Sequence, residues 1–130
     1  MFERFTEKAI NVVSESQRLA KELKSSEVYP EHLLLALVSE ARGVSLKIFR
    51  MYNVTFESMQ ELVLKYVTPS LRQVENIPFN HNVKDILKRT LDLASKSGNQ
   101  NILFEHLFLS VITDKNSNIQ TILDKFDFWN

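Results

Sequence analysis

Two Glu-His pairs, Glu31-His32 and Glu105-His106, are the residues here that would first suggest chemistry. A carboxylate beside an imidazole is a common element of general acid–base catalysis. Neighbours on a helix point about 100° apart, however, so adjacency in sequence does not bring the two groups together. No serine nucleophile motif accompanies either pair, and the chain has no cysteine, which removes thiolate catalysis, thiolate metal sites and disulfides together. The three histidines, His32, His81 and His106, include no HxxxH pair, whereas a metal site needs three or four closely spaced ligands. Gly43 and Gly98 are the only glycines, too few for the loop with which nucleotide hydrolases cradle phosphate. The sequence thus predicts no catalytic residue, no metal ligand and no cofactor. At the start of a helix the glutamates would favour the positive end of the dipole, and the histidines would bond nearby backbone.

The elements that must hold these motifs are helices. Ala9, Val12, Val13, Ser16, Leu19, Ala20 and Leu23 recur at helical spacing, and so do Val83, Ile86, Leu87, Thr90, Leu93 and Ala94. Thr6 and Asn80 stand ahead of these stripes as N-caps, and Gly98 is placed to end the second. The segments Glu31 to Glu40 and Glu105 to Asp114 are apolar nearly all round, which predicts interior helices, and Pro30 suits the first helical position. Shorter helices are expected over 44–51 and 118–126. Thr55-Phe56-Glu57-Ser58 opens a further amphipathic stretch carrying Met59, Leu62, Val63 and Tyr66.

An offset of 74 residues aligns the chain with itself without a gap from Phe5/Phe79 to Val54/Phe128. Identities fall at Phe5/Phe79, Leu19/Leu93, Ala20/Ala94, Glu31/Glu105, His32/His106, Leu33/Leu107, Leu35/Leu109 and Ile48/Ile122, and apolar replacements fill the positions between them. Duplication is the simplest account. The expected organisation is one all-α domain over 1–130, a tandem pseudo-twofold repeat of a four-helix unit. The first repeat covers about 1–67, a linker 68–78 follows, and the second covers about 79–130 with its last helix missing. Phe5 and Phe79 are expected to anchor the core. Phe126-Asp127-Phe128-Trp129 is read either as cover for apolar surface left by the missing helix or as a partner-binding tail.

Composition agrees with a compact helical domain: 44% of residues are hydrophobic, 25% are charged, and only 3 are proline. Acidic and basic residues number 16 each, so no overall field draws the chain to nucleic acid or to an anionic membrane. No apolar run approaches the length needed to span a bilayer, and Met1-Phe2-Glu3-Arg4-Phe5 lacks the apolar centre of a signal peptide. A soluble, cytosolic chain is expected, and the lack of cysteine agrees with a reducing compartment.

The opening MFERFTEKA, the second opening at IPF, and an EHLLLAL-type buried helix in each copy together resemble the Clp N-terminal domain, most closely its ClpC branch. The resemblance covers nearly the whole chain. It implies an all-α, non-enzymatic module that receives adaptor or substrate proteins for a Clp unfoldase and its protease, in the cytoplasm or the plastid stroma. In ClpC-type members each repeat can hold a phosphorylated arginine, with the Glu of the Glu-His motif taking the guanidinium. By position Glu31 and Glu105 would be those acceptors. The usual motif has Gly-Thr before Glu-His; this chain has Tyr29-Pro30 and Leu103-Phe104, without the hydroxyl in either copy, and Thr6 is matched by Asn80. General protein docking therefore ranks above phosphoarginine recognition. The partner-binding residues expected are Phe2, Thr6, Glu31, Phe79 and Glu105, converging near the starts of the first helix of each copy. The alternative is a free-standing relative that docks on a Clp protease or unfoldase and modulates it. A helical nucleic-acid-binding protein ranks below both, because no basic recognition helix is present.

Overall fold

A computed structural model describes residues 1–72 and 75–130. It contains seven helices: α1 (Glu7–Glu22), α2 (Pro30–Glu40), α3 (Gly43–Met51), α4 (Phe56–Tyr66), α5 (His81–Lys96), α6 (Phe104–Ile112) and α7 (Ile119–Asp124). No strand occurs among the described residues, so the expected all-α class is observed. Of the stretch read as a linker, Gln73 and Val74 lie outside the described residues, and most of the remainder is exposed.

Each helix begins where its sequence allows. The Thr6 hydroxyl accepts from the Ala9 amide at 3.3 Å, the Asn80 side chain from the Asn82 amide at 3.0 Å, and the Thr55 hydroxyl from the Ser58 amide at 3.1 Å. The stripes of α1 and α5 face inward. Their buried hydroxyls, Ser16 and Thr90, donate to the preceding turn, at Val13 and Ile86, and so need no other partner. α7 is shorter than the periodicity suggested, because Lys125 to Trp129 continue as turns.

Backbone geometry repeats even where residue types do not. Lys24 and Gly98, 74 residues apart, both adopt positive φ (59° and 76°) directly after α1 and α5. Ser25 then donates to Ala20 at 2.9 Å and Asn99 to Ala94 at 3.0 Å, the same closing bond in each copy. Asn53 and Asp127 form a second such pair, with φ of 57° and 54°. Lysine gives no sequence signal for this conformation; glycine does.

Two isolated parallel bridges cross between the copies, Phe5 to Ile102 and Val28 to Phe79. The offset that aligns the repeats also exchanges these bridges, which is a pseudo-twofold relation written in backbone hydrogen bonds. Thr6 donates to Ile102 at 3.0 Å and Ile102 to Arg4 at 2.7 Å; Asn80 donates to Val28 at 2.9 Å and Val28 to Pro78 at 2.8 Å. Inside this frame α2 and α6 pack together at the centre, with Leu33 to Leu37 and Leu107 inaccessible to solvent. Phe49 of α3 joins the halves, its ring 5.6 Å from Phe108 and 6.3 Å from Phe128.

Two stability outcomes follow. Phe49→Ala is expected to cost about 3–5 kcal/mol in denaturant unfolding, because its ring is 1% exposed and filled from both copies. Gly98→Ala is expected to cost about 1 kcal/mol through its positive φ, although a Cβ there meets no neighbouring atom.

Candidate functional site

The Glu-His motifs form the first turns of α2 and α6. Tyr29 and Leu103 stand at the N-cap positions without a capping side chain, and the histidines supply the reciprocal half of the cap. The Tyr29 amide donates to His32 Nδ1 at 2.9 Å, and the Leu103 amide to His106 Nδ1 at 3.0 Å. Accepting at Nδ1 requires that nitrogen to be unprotonated. Neither glutamate is hydrogen-bonded to its neighbouring histidine, so the geometry gives no acid–base pair. Among the described residues no group of three or more potential ligands is placed to hold a metal ion.

The two glutamates, equivalent in the repeat, have different surroundings. Glu31 is 2% exposed, and its Oε2 accepts from the Asn118 amide at 2.8 Å, capping the approach to α7 in the other copy. Burial pushes its carboxyl up; backbone hydrogen bonds oppose this, and the nearby Asp114 adds a smaller upward push. Asp114 is itself buried and held by Arg89 at 2.6 Å and by the Ser117 hydroxyl at 2.6 Å. Glu105 is exposed, and its carboxylate accepts no hydrogen bond among the described residues.

Each glutamate lines its own cleft. The first cleft, about 220 Å³, is formed by Lys8, Asn11, Glu40, Arg42, Ser45, Phe104 and Glu105, where the starts of α1, α3 and α6 meet. The second, about 460 Å³, is lined by Tyr29, Pro30, Glu31, Asn80, Asn82 and Lys115 to Asn118. The repeat offset carries Lys8 to Asn82, Arg42 to Asn116, Phe104 to Pro30 and Glu105 to Glu31, so these are the same place in the two copies. The first has kept cations opposite an uncommitted carboxylate. The second is wider, has asparagines where the first has Lys8 and Arg42, keeps one cation in Lys115, and its carboxylate is already bonded.

The expected partner-binding residues are distributed over an aromatic patch, the α1 cap and two clefts. Phe2 and Phe79 meet, with rings 6.3 Å apart, and Phe2 also stands edge-on to Phe5 at 5.2 Å. All three are half-buried against the core. Thr6 is occupied as the α1 cap and lines neither cleft. Glu31 and Glu105 are in separate clefts, so the single convergent patch expected from the sequence is not formed. Lys8, Glu40 and Arg42 were not singled out by motif; only the offset comparison, cation against amide, marks two of them. At the chain end, Phe128 is buried against Tyr52 at 4.8 Å, and Trp129, half exposed, donates from Nε1 to Gln120 at 2.9 Å.

The paired four-turn helices, central apolar helices and exchanged bridges define a duplicated helical module. The family model described as the Clp repeat (R) N-terminal domain matches residues 4–126, and the chain belongs to this family. It is 35% identical over 115 residues to an ATP-dependent Clp protease ATP-binding subunit ClpA homolog of Guillardia theta, and 34% identical over 115 residues to the chloroplastic chaperone protein ClpC2 of Arabidopsis thaliana. Each match covers 88% of this chain but only 14% and 12% of those relatives. Among solved structures, the N-terminal domain of the Clp-associated chaperone ClpD from Arabidopsis thaliana superposes with a TM-score of 0.80 at 26% identity, covering 98% of this chain and 87% of that one. The ClpV N-domain in complex with a VipB peptide shares the fold, with a TM-score of 0.71 at 16% identity over 98% of this chain and 81% of that one. No helix among the described residues is long and apolar enough to cross a membrane.

Burial lowers the His32 imidazole to about 4. Its folded value lies below the unfolded one, near 6.5, so the stability held by neutral His32 is full above pH 6.5 and is lost as pH falls towards 4. The loss amounts to a few kcal/mol. Glu31, shifted upward, acts in the opposite sense, since its protonation on acidification relieves a buried charge. The ring protons of His32 in a proton NMR titration are expected to show a midpoint near 4; a midpoint near 6.5 would remove this source of acid sensitivity.

Proposed function

We propose that this chain is a receiving domain that binds adaptor or substrate polypeptides for a Clp unfoldase, without catalysis of its own, and that the first cleft is the recognition site. In this reading residues 1–130 act as one unit, with copies over about 1–67 and 79–130 joined by 68–78, in the cytoplasm or plastid stroma. One observation carries the assignment to the first cleft: Glu105 and Glu40 stand with Lys8 and Arg42 in a single open pocket at helix starts. That combination suits a ligand with a cationic plane on one side and an anion on the other. A carboxylate pairs with guanidinium N–H groups by charge-assisted bonds, while lysine, arginine and helix N-termini attract phosphate. Phosphoarginine has this arrangement, and it is the narrower form of the proposal. The VipB peptide held by the ClpV N-domain supports peptide binding by this fold.

The aromatic patch of Phe2 and Phe79 would add apolar contact for the flanking polypeptide. Thr6 and Glu31 take supporting roles, Thr6 by capping α1 and Glu31 by fixing the start of α7. This makes the two copies unequal: one cleft for a ligand, one for structure.

Calorimetric titration with phosphoarginine tests the reading. The expected result is one site per chain, with binding reduced at least about tenfold in Glu105→Ala and in Lys8→Ala/Arg42→Ala. Glu31→Ala is expected to bind with unchanged stoichiometry but to melt at lower temperature. Two equivalent sites, or equal binding by Glu105→Ala, would overturn the assignment.

A further inference from the structure

Of the seven helices, α3 is the least packed against the others among the described residues, and Phe49 is its one buried residue. Val44, Ile48 and Met51 recur on it at i, i+4 and i+7 and so share one side. Val44 and Met51 are each 73% exposed, and Ile48 is half-buried. Lys47 and Arg50, both exposed and one turn apart, run along the edge of this stripe. Neither has an ion pair among the described residues. No acidic residue occurs from Ala41 to Phe56, so this stretch is positive although the whole chain has 16 residues of each sign.

The second copy shows what the frame requires at these places. The 74-residue offset carries Val44, Lys47, Arg50 and Met51 to Asn118, Thr121, Asp124 and Lys125, all exposed. Ile48 and Phe49 go to Ile122 and Leu123, both buried. Inward positions thus stay apolar in both copies, whereas the outward ones are polar and without net charge in the second. Packing therefore requires neither Val44 nor Met51 to be apolar, and a side chain left in water gains nothing from being so. The face belongs to the first copy, whose helices α1 to α4 are all described, and α4 packs instead against α2.

We propose that this side of α3 is a docking surface for an acidic amphipathic helix of a partner polypeptide. The occupant lays an apolar stripe along Val44, Ile48 and Met51 at the same helical spacing, as helices that recognise one another do. Its carboxylates meet Lys47 and Arg50. Charge decides the occupant, because two cations without partners beside an apolar stripe favour an acidic segment over a basic one. A second copy of α3 would set like charges against each other, and the balanced charge of the whole chain gives no field towards an anionic membrane. The site does not rest on the reading given to the first cleft, although α3 also supplies Ser45 to that cleft.

Two synthetic helix-forming peptides of about 14 residues test this, both with leucines at i, i+4, i+7 and i+11. One has glutamates beside the stripe and the other has lysines at the same places. In nitrogen–proton correlation spectra of the whole chain, the glutamate peptide is expected to shift the Val44, Ile48 and Met51 amides. It is expected to bind about three- to tenfold more tightly than the lysine peptide. Lys47→Glu/Arg50→Glu is expected to reverse that preference. Val44→Asn/Met51→Gln, at positions 73% exposed where folding is unaffected, is expected to weaken the glutamate peptide about tenfold. Glu105→Ala, which removes a carboxylate of the first cleft, is expected to change none of these results. Saturating glutamate peptide that moves no α3 resonance would overturn the proposal, as would a preference unaltered by Lys47→Glu/Arg50→Glu. A concentration-dependent dimer dissolved by Val44→Asn/Met51→Gln would also overturn it, by making a second copy the occupant. Sedimentation with anionic vesicles, lost in the same variant and without peptide binding, would overturn it in favour of a lipid surface.

Discussion

This fold rests on two helices too apolar to stand in water without neighbours on most of their sides. Residues 30–37 of α2 are buried without a break, and α6 is buried at every position but Glu105 and Leu109. A helix of this kind needs neighbours all round it, and one copy of the repeat cannot supply them. The copies therefore lie with α2 and α6 in contact and exchange their extended entry segments, Phe5 onto Ile102 and Phe79 onto Val28. The exchange ties each copy's first helix to the residues just before the other copy's buried helix. That is why a cleft forms where α1 meets α6, and another where α5 meets α2.

The sequence was informative wherever a pattern is local. Helical stripes, caps at Thr6, Asn80 and Thr55, and the all-round apolar segments are each written within one or two turns, and the structure has them in place. What escaped reading depends on distant partners or on uninformative residue types. The positive φ of Lys24 carries no compositional signal, although Gly98 at the same place carries a strong one. Val28 and Ile102 look like ordinary loop hydrophobes until the bridges are seen. The burial of Glu31 is set by Asn118, 87 residues away, so its motif could not separate it from the exposed Glu105.

The candidate site was legible by half. Glu105 came from the motif, but its surroundings came from α1 and α3, where Lys8, Glu40 and Arg42 are charged residues with no local mark. A solvated side chain of this type is normally unremarkable. Only their meeting in one pocket makes them informative, and the amides facing Glu31 at two of the equivalent positions sharpen the contrast.

Duplication explains how such asymmetry is tolerated. Backbone closures, bridges and histidine caps recur in both copies because each satisfies polar groups that burial would otherwise leave unpaired, a cost of about 1–3 kcal/mol per group. Surface positions bear no such constraint. Lys8 and Asn82, or Arg18 and Asp92, can diverge without touching the frame. A carboxylate is different: once Glu31 is closed off from water it needs a donor, and the Asn118 amide supplies one. That bond ties the Glu31 carboxylate to the start of α7 in the other copy. The surface left free to change is then the part of the repeat that the shared core does not require.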